Sequence, residues 1–348
     1  MNYSDTFKRT RKLLYEGMSP KAVEATPKKE TIKFVQRLLG SPKNVIGHIR
    51  QTAGASVIKL TFGYDIKDQD DYFLNLAQKA VDMFSIATTP GMFLVDVFPW
   101  CTSVKYLPWA PFKTKAQEWR QLLVDFREQP LEHTRSKIAQ GNLEPCLASR
   151  WLERLDSKQT EAEQQSYEAM IKWAGVALYG GGADTTVSAI STFFISMIHY
   201  PEIQKIAQAE IDRVVGHDRL PTYDDRSVLP YIEALYKEVL RWHPVAPLAI
   251  PHCLDSVKDD IYRGMLIPKG CMVVPNVGAI LSNPEVYHDP DVFRPERFLS
   301  HDGQLPEPDP ERFAFGFGKR QSCPISYDYH RGAHTTFEYT PEGAQAYT

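Results

Sequence analysis

Residues 171–186, IKWAGVALYGGGADTT, constrain the fold more than any other stretch. Ala174, Val176, Ala177 and Leu178 precede three consecutive glycines, and Val187, Ala189, Ile190, Phe193, Phe194, Met197 and Ile198 follow them. Apolar residues spread this widely around a helical wheel predict a long helix lying deep in a large protein. Gly180, Gly181 and Gly182 should each cost on the order of 1 kcal/mol inside such a helix. Asp184, Thr185 and Thr186 follow directly. Polar groups at a weak point of a buried helix point to a ligand pressed against the backbone. The competing reading is a kinked helix whose own hydroxyls cap it.

A chain of 348 residues, 43% hydrophobic, can bury a large core. Its net charge of −3 offers no basic field for nucleic acid. Its aromatic content fits a packed enzyme rather than a disordered chain. The cysteines, Cys101, Cys146, Cys253, Cys271 and Cys323, form no CxxC pair, which argues against a zinc or dithiol site. Scattered and odd in number, they fit a reducing compartment. The segment from Met1 to Arg11 is polar and unlike a signal peptide. No apolar run approaches the ~18 residues of a membrane span.

Helical spacing predicts helices over 5–16, 29–40, 43–62, 71–88 and 113–140, then a polar linker over 141–162. Pro201 and Gly216 bracket a further helix, and another covers 230–243. Tyr262–Ile267 and Cys271–Val274 flank Pro268-Lys269-Gly270, a hairpin signal. Residues 89–112 are apolar but broken by prolines, and carry Trp100, Tyr106 and Trp109. They read either as a peripheral membrane contact or as a loop folded onto the core.

Chemistry-bearing residues gather late in the chain. Glu238 and Arg241 are three apart on one helix face. Phe293-Arg294-Pro295-Glu296-Arg297-Phe298 follows, then Phe315-Gly316-Phe317-Gly318-Lys319-Arg320, then Cys323. A glycine-rich loop leading to a lone cysteine can hold a metal by thiolate. The loop lacks the GxxxxGK[ST] spacing of a phosphate loop, and the chain has neither a GxSxG elbow nor an HExxH pair.

In this order the motifs resemble the cytochrome P-450 family of haem-thiolate monooxygenases. Gly181-Gly182-Ala183-Asp184-Thr185 is similar to its oxygen-activating helix, Glu238-x-x-Arg241 to its ExxR helix, Pro295–Phe298 to its PERF element, and Phe315-x-x-Gly318-x-Arg320 to the start of its haem loop. The stretch 230–251 looks most like the fungal microsomal branch, with secondary metabolism as its setting. The resemblance implies a mainly α fold with a small β element, incomplete at both ends, over 1–324, leaving 325–348 as a divergent, disordered tail. It implies haem b, with Cys323 as iron ligand and Arg11, His252, Phe315, Gly318 and Arg320 as cofactor contacts. Arg11 enters through Phe7-x-x-x-Arg11, with Phe where the family has Trp. Asp184 and Thr185 would relay protons, Glu238, Arg241 and Arg297 would form a buried structural triad, and Val245–Ile250 would line the pocket. The implied reaction inserts one oxygen atom of dioxygen into a lipophilic small molecule, with electrons from an NADPH-dependent flavoprotein reductase and no role for nucleic acid. The family resides at the endoplasmic reticulum membrane; without an anchor helix this chain is expected to be cytoplasmic or peripheral.

The resemblance has departures. The family's anchor helix, hinge and first helix-and-sheet region have no counterpart before Tyr3. Ser322 stands where the family has cysteine, Cys323 is one residue late, and Ile325 replaces a glycine. The switch from match to mismatch is abrupt, as after an altered reading frame, and predicts weak haem incorporation. The alternative reading is therefore an inactive, truncated or mis-spliced remnant without stable haem.

Overall fold

The computed structural model describes residues 4–318 apart from 18–19, 69, 90, 94–96, 99–110, 156–159, 255–257, 301–302 and 304. Most of it is helix: α1 (Asp5–Gly17), α2 (Pro20–Gly40), α3 (Val45–Phe62), α4 (Tyr72–Thr88), α5 (Pro111–Ala139), α6 (Leu147–Leu152), α7 (Glu161–His199), α8 (Pro201–Val214), α9 (Pro230–Trp242), α10 (Val277–Leu281) and α11 (Glu311–Ala314). The mainly α architecture expected of the sequence is present.

The long helix does not break at its glycines. α7 runs for 39 residues straight through Gly180–Gly182. Thr160 caps its N-terminus and Glu163 reaches back to complete a capping box. Packing outweighs the glycine penalty here. Ile171 and Ala174 are sealed in one cluster with Leu13 of α1, Phe62 of α3, Leu131 of α5 and Trp151 of α6. Further along α7, Tyr179 and Ala183 are buried with Ile58, Leu76, Ala77 and Phe126.

Two local expectations are corrected. The supposed polar linker holds α6, whose Leu147, Ala148 and Trp151 are almost completely buried. Cys146 and Ser149 form its capping box. A helix of 6 residues is too short to show a period in sequence. The hairpin turn also lies elsewhere. β2 (Asp260–Tyr262) pairs with β3 (Met265–Ile267) around Arg263-Gly264, whose φ values of 50° and 78° match the twist of a tight hairpin. Pro268-Lys269-Gly270 leads instead into β4 (Met272–Val273), which pairs with β1 (His252–Cys253).

α9 has no side-chain cap of its own at Leu229. Glu210 of α8 supplies one, accepting from the backbone N–H groups of Tyr231 and Ile232 at 3.0 Å each. That bond fixes α9 against α8. Phe293 then seals the joint, buried with Met197, Ile203, Tyr231, Leu235 and Val239.

Candidate functional site

The glycine run divides its labour. A Cβ on Gly182 would lie 3.1 Å from Val57 of α3, and one on Gly175 only 2.6 Å from Phe62. These glycines let α3 and α7 approach closely. A Cβ on Gly180 or Gly181 would meet nothing within 4 Å. That face of α7 is open, and Asp184, Thr185 and Thr186 are exposed beside it. The expectation of buried, costly polar groups is thus corrected. Thr185 Oγ1 donates to Gly181 O at 2.7 Å and Thr186 Oγ1 to Gly182 O at 2.6 Å. Hydroxyls bonded back one turn need no other partner. Each oxygen keeps lone pairs free to accept. Burial, and behind it the charge of Asp184, pushes the Tyr179 phenol above its ordinary range.

Glu238, Arg241 and Arg297 form one network whose side chains are closed to solvent. Arg241 grips Glu238 with two nitrogens, Nε to Oε2 at 2.7 Å and Nη2 to Oε1 at 2.8 Å. Arg297 Nε lies 3.1 Å from Oε2. The surplus donors go to carbonyls: Arg241 Nη1 to Leu281 O at 3.0 Å, Arg297 Nη1 to His288 O at 2.8 Å and Nη2 to Val292 O at 3.0 Å. The Arg294 N–H donates to Glu238 Oε1 at 2.8 Å. Each buried charge is paired and its hydrogen bonds are used, the condition under which burial is tolerated. Glu307 is a member that motif reading missed. Its Oε2 accepts from Arg297 Nη1 at 2.7 Å, which balances the second arginine. The only signal in sequence was an acid just downstream of the motif.

The remaining expected contacts sit on separate elements. Arg11 is exposed on α1 and His252 is half-buried on β1 opposite Val273. Phe315 follows α11 as its C-cap, and Gly318 has a φ of 56° that disfavours other residues. Arg320, Cys323 and the tail 325–348 lie outside the described residues. In the pocket segment, Leu248 and Ile250 are exposed. Ala249 between them has a φ of 48°, a strained value for a residue with a Cβ. Bonds from Ala249 N to Ala246 O at 2.9 Å and from Gly278 N to Pro247 O at 2.8 Å hold it there. Of the apolar stretch 89–112, Val97 and Phe98 are exposed, the Phe93 ring packs edge-on against Trp119, and 99–110 lie outside the described residues. Among the described residues no helix is long and apolar enough to cross a membrane.

The model of the family described as Cytochrome P-450 matches residues 1–324. The chain is 45% identical to cytochrome P-450 monooxygenase claR of Ampulloclitocybe clavipes over 332 residues, covering 92% of this chain and 59% of that one. It is 43% identical to cytochrome P-450 monooxygenase 208 of Postia placenta, over 94% of this chain and 63% of that one. It is 39% identical to the O-methylsterigmatocystin oxidoreductase of Aspergillus flavus, over 84% of this chain and 54% of that one. The chain thus spans about three fifths of the length of the curated relatives it matches. These relatives carry monooxygenase or oxidoreductase names, and none supports an inactive remnant. Motifs in family order, a mainly helical fold and a match over nearly its whole length establish that this chain belongs to the cytochrome P-450 family.

Proposed function

We propose that this chain carries the oxygen-activating helix, ion-pair core and cysteine loop of a haem-dependent monooxygenase acting on a lipophilic small molecule. The observation that carries the reading is the open face of α7 at Gly180 and Gly181, with Asp184 and Thr185 one turn along it. The described residues fit haem b in that the helix face at Gly180 and Gly181 has open space in front of it, where a flat prosthetic group could approach the backbone. Cys323 would ligate the iron by its thiolate. Arg11, His252 and Arg320 would pair with the propionates through charge-assisted bonds, and Phe315 and Gly318 would shape the loop. When bound, haem supplies the redox chemistry with dioxygen, using electrons from an NADPH-dependent flavoprotein reductase.

The chain's own residues would handle protons and substrate. The Thr185 hydroxyl can accept from an ordered water while donating to Gly181 O. Asp184, exposed next to it, would exchange protons with solvent and feed that water. Leu248 and Ile250, held outward by the strained Ala249, would present apolar surface to the substrate. The name of the Aspergillus flavus relative supports a small-molecule substrate of fungal secondary metabolism. Met92, Val97 and Phe98 are exposed and would give residues 89–112 a peripheral membrane contact. Residues 325–348 would form a divergent tail outside the domain.

The reading is tested by the carbon monoxide spectrum of the reduced, haem-reconstituted protein. A long-wavelength thiolate Soret band is expected, weak because Cys323 stands one residue late in the loop, and Cys323→Ser should abolish it. A band that survives Cys323→Ser, or appears only when Ser322→Cys restores the family spacing, overturns the ligand assignment. Thr185→Ala should retain haem but lower product yield per reducing equivalent by up to ~10²-fold, diverting electrons to peroxide. Full yield with low peroxide would remove Thr185 from the relay.

A further inference from the structure

Between the ion-pair core and the loop that begins at Phe315 lies the sequence Glu307-Pro308-Asp309-Pro310-Glu311. Each acid in this alternation has its own partner. Glu307 Oε2 accepts from Arg297 Nη1 at 2.7 Å, and Oε1 from the His288 N–H at 3.1 Å. Asp309 Oδ2 lies 2.7 Å from Lys237 Nζ, while Oδ1 accepts from the Glu311 N–H at 2.9 Å. Glu311, itself buried, is hydrogen-bonded by the Tyr236 hydroxyl. Tyr236 and Lys237 belong to α9, and Arg297 is bonded to Glu238 of the same helix. Bonds to backbone carbonyls add to these: Glu307 N–H to Arg297 O at 2.9 Å, and the Tyr287 hydroxyl to Pro308 O at 3.1 Å.

The two prolines fix φ and reduce the freedom of the unbound segment, so little entropy opposes its attachment. The chain then changes character. Gly316 and Gly318 take φ values of 88° and 56°, and a Cβ on Gly318 would touch nothing. Phe313 and Phe317 pack against Val277, Leu281 and Tyr287, but glycine at two of the four residues 315–318 leaves that backbone free to turn, so an anchor before it defines where it starts. We infer that Glu307, Asp309 and Glu311 are positioning residues, an acidic strap that ties residues 307–311 to α9 and fixes where the loop toward Arg320 and Cys323 begins. The task of that loop rests on the proposed monooxygenase reading; the strap itself does not require haem.

Amide hydrogen exchange on the full chain tests the strap. Asp309→Asn should speed exchange of residues 311–318 by about two- to fivefold, the range for losing a partly exposed ion pair. Lys237→Met should do the same, the pair should be no faster than either alone, and Lys237→Arg should keep protection. Exchange in α3 and α7 should not change. Unaltered exchange at 311–318, or equal acceleration in α3 and α7, overturns the strap. A second arm measures the rate of haem loss from the reconstituted protein, which should rise severalfold in Asp309→Asn and Lys237→Met but not in Lys237→Arg. Faster local exchange with unchanged haem loss would overturn the loop-positioning role. If the unaltered chain binds no haem, the monooxygenase reading fails, and the exchange arm still decides the strap.

Discussion

The cluster of Glu238, Arg241 and Arg297 and the chain Arg127–Glu128–Lys172–Glu168–Arg135 use the same chemistry in different solvents. In the first, all three side chains are closed to water. In the second, which braces α5 against α7, side-chain exposure runs from 21% at Lys172 to 37% at Arg135. Distances do not separate them. Lys172 lies 2.5 Å from Glu128 and 2.7 Å from Glu168, and Arg135 lies 2.5 Å from Glu168. What separates them is where spare hydrogen bonds go. The buried arginines spend theirs on the carbonyls of Leu281, His288 and Val292, so they hold backbone that is far away in sequence. The outer groups can turn to water. Short ion pairs therefore do not measure importance; burial and the cost of stranding a partner do.

Removing Glu238 should have the largest effect. Glu238→Ala leaves two arginines without their carboxylate and should destabilise by about 3–5 kcal/mol in denaturant unfolding. A double-mutant cycle with Arg297 should show strong coupling. A loss below about 1 kcal/mol would place the cluster with ordinary surface pairs and break the comparison.

Glu307 lies between the two regimes, because its partner Arg297 is sealed while its own side chain is 21% exposed. Glu307→Ala should cost about 1–3 kcal/mol, the range for a hydrogen bond to a charged group. A value equal to that of Glu238→Ala would show that half-exposed members count fully.

The outer chain should respond least and should respond to salt. Lys172→Met should cost about 0.2–1 kcal/mol at low ionic strength, and most of that should vanish at ~1 M salt, where the screening length is about 3 Å. A salt-insensitive loss would show that the apolar stem of Lys172, rather than its charge, is what matters.

Acid sharpens the same contrast. The hydrogen bond from Arg135, ahead of the one from Lys172, holds the Glu168 carboxyl below its ordinary value of 4.5. A depressed folded-state value means the stabilisation is complete above 4.5 and fades as pH falls through the folded value. The difference in Tm between the unaltered chain and Glu168→Gln should be flat near neutrality and shrink below pH 4.5. A difference that grows on acidification would reverse the sign and refute the pairing.

The motif members of the buried cluster were legible in sequence, because Glu238 and Arg241 share a helix face and Pro295–Phe298 stands out. Glu307 was not, since nothing local ties it to Arg297. The outer chain was also missed. Glu168 and Lys172 are a readable i,i+4 pair, but Glu128 and Arg135 join them only because α5 packs on α7. The hairpin was misplaced for a similar reason. Pro268-Lys269-Gly270 is a sound turn, yet which strand β4 pairs with is decided by β1, far upstream in sequence.

By itself the sequence determined helical stretches on both sides of the glycines, the order of the four motifs, and hence the family. Periodicity and motif spacing are local properties, and they survive without knowledge of neighbours. Tertiary structure alone decided that α7 continues through its glycines, that Gly175 and Gly182 serve α3 while Gly180 and Gly181 face open space, and that Thr185 is bonded to its own helix. Propensities rank residues by their cost in isolation, on the order of 1 kcal/mol. Packing against α3, α5 and α6 buries enough apolar surface along α7 to exceed that cost. Three adjacent glycines, identical in sequence, thus acquire different roles from what lies across from each.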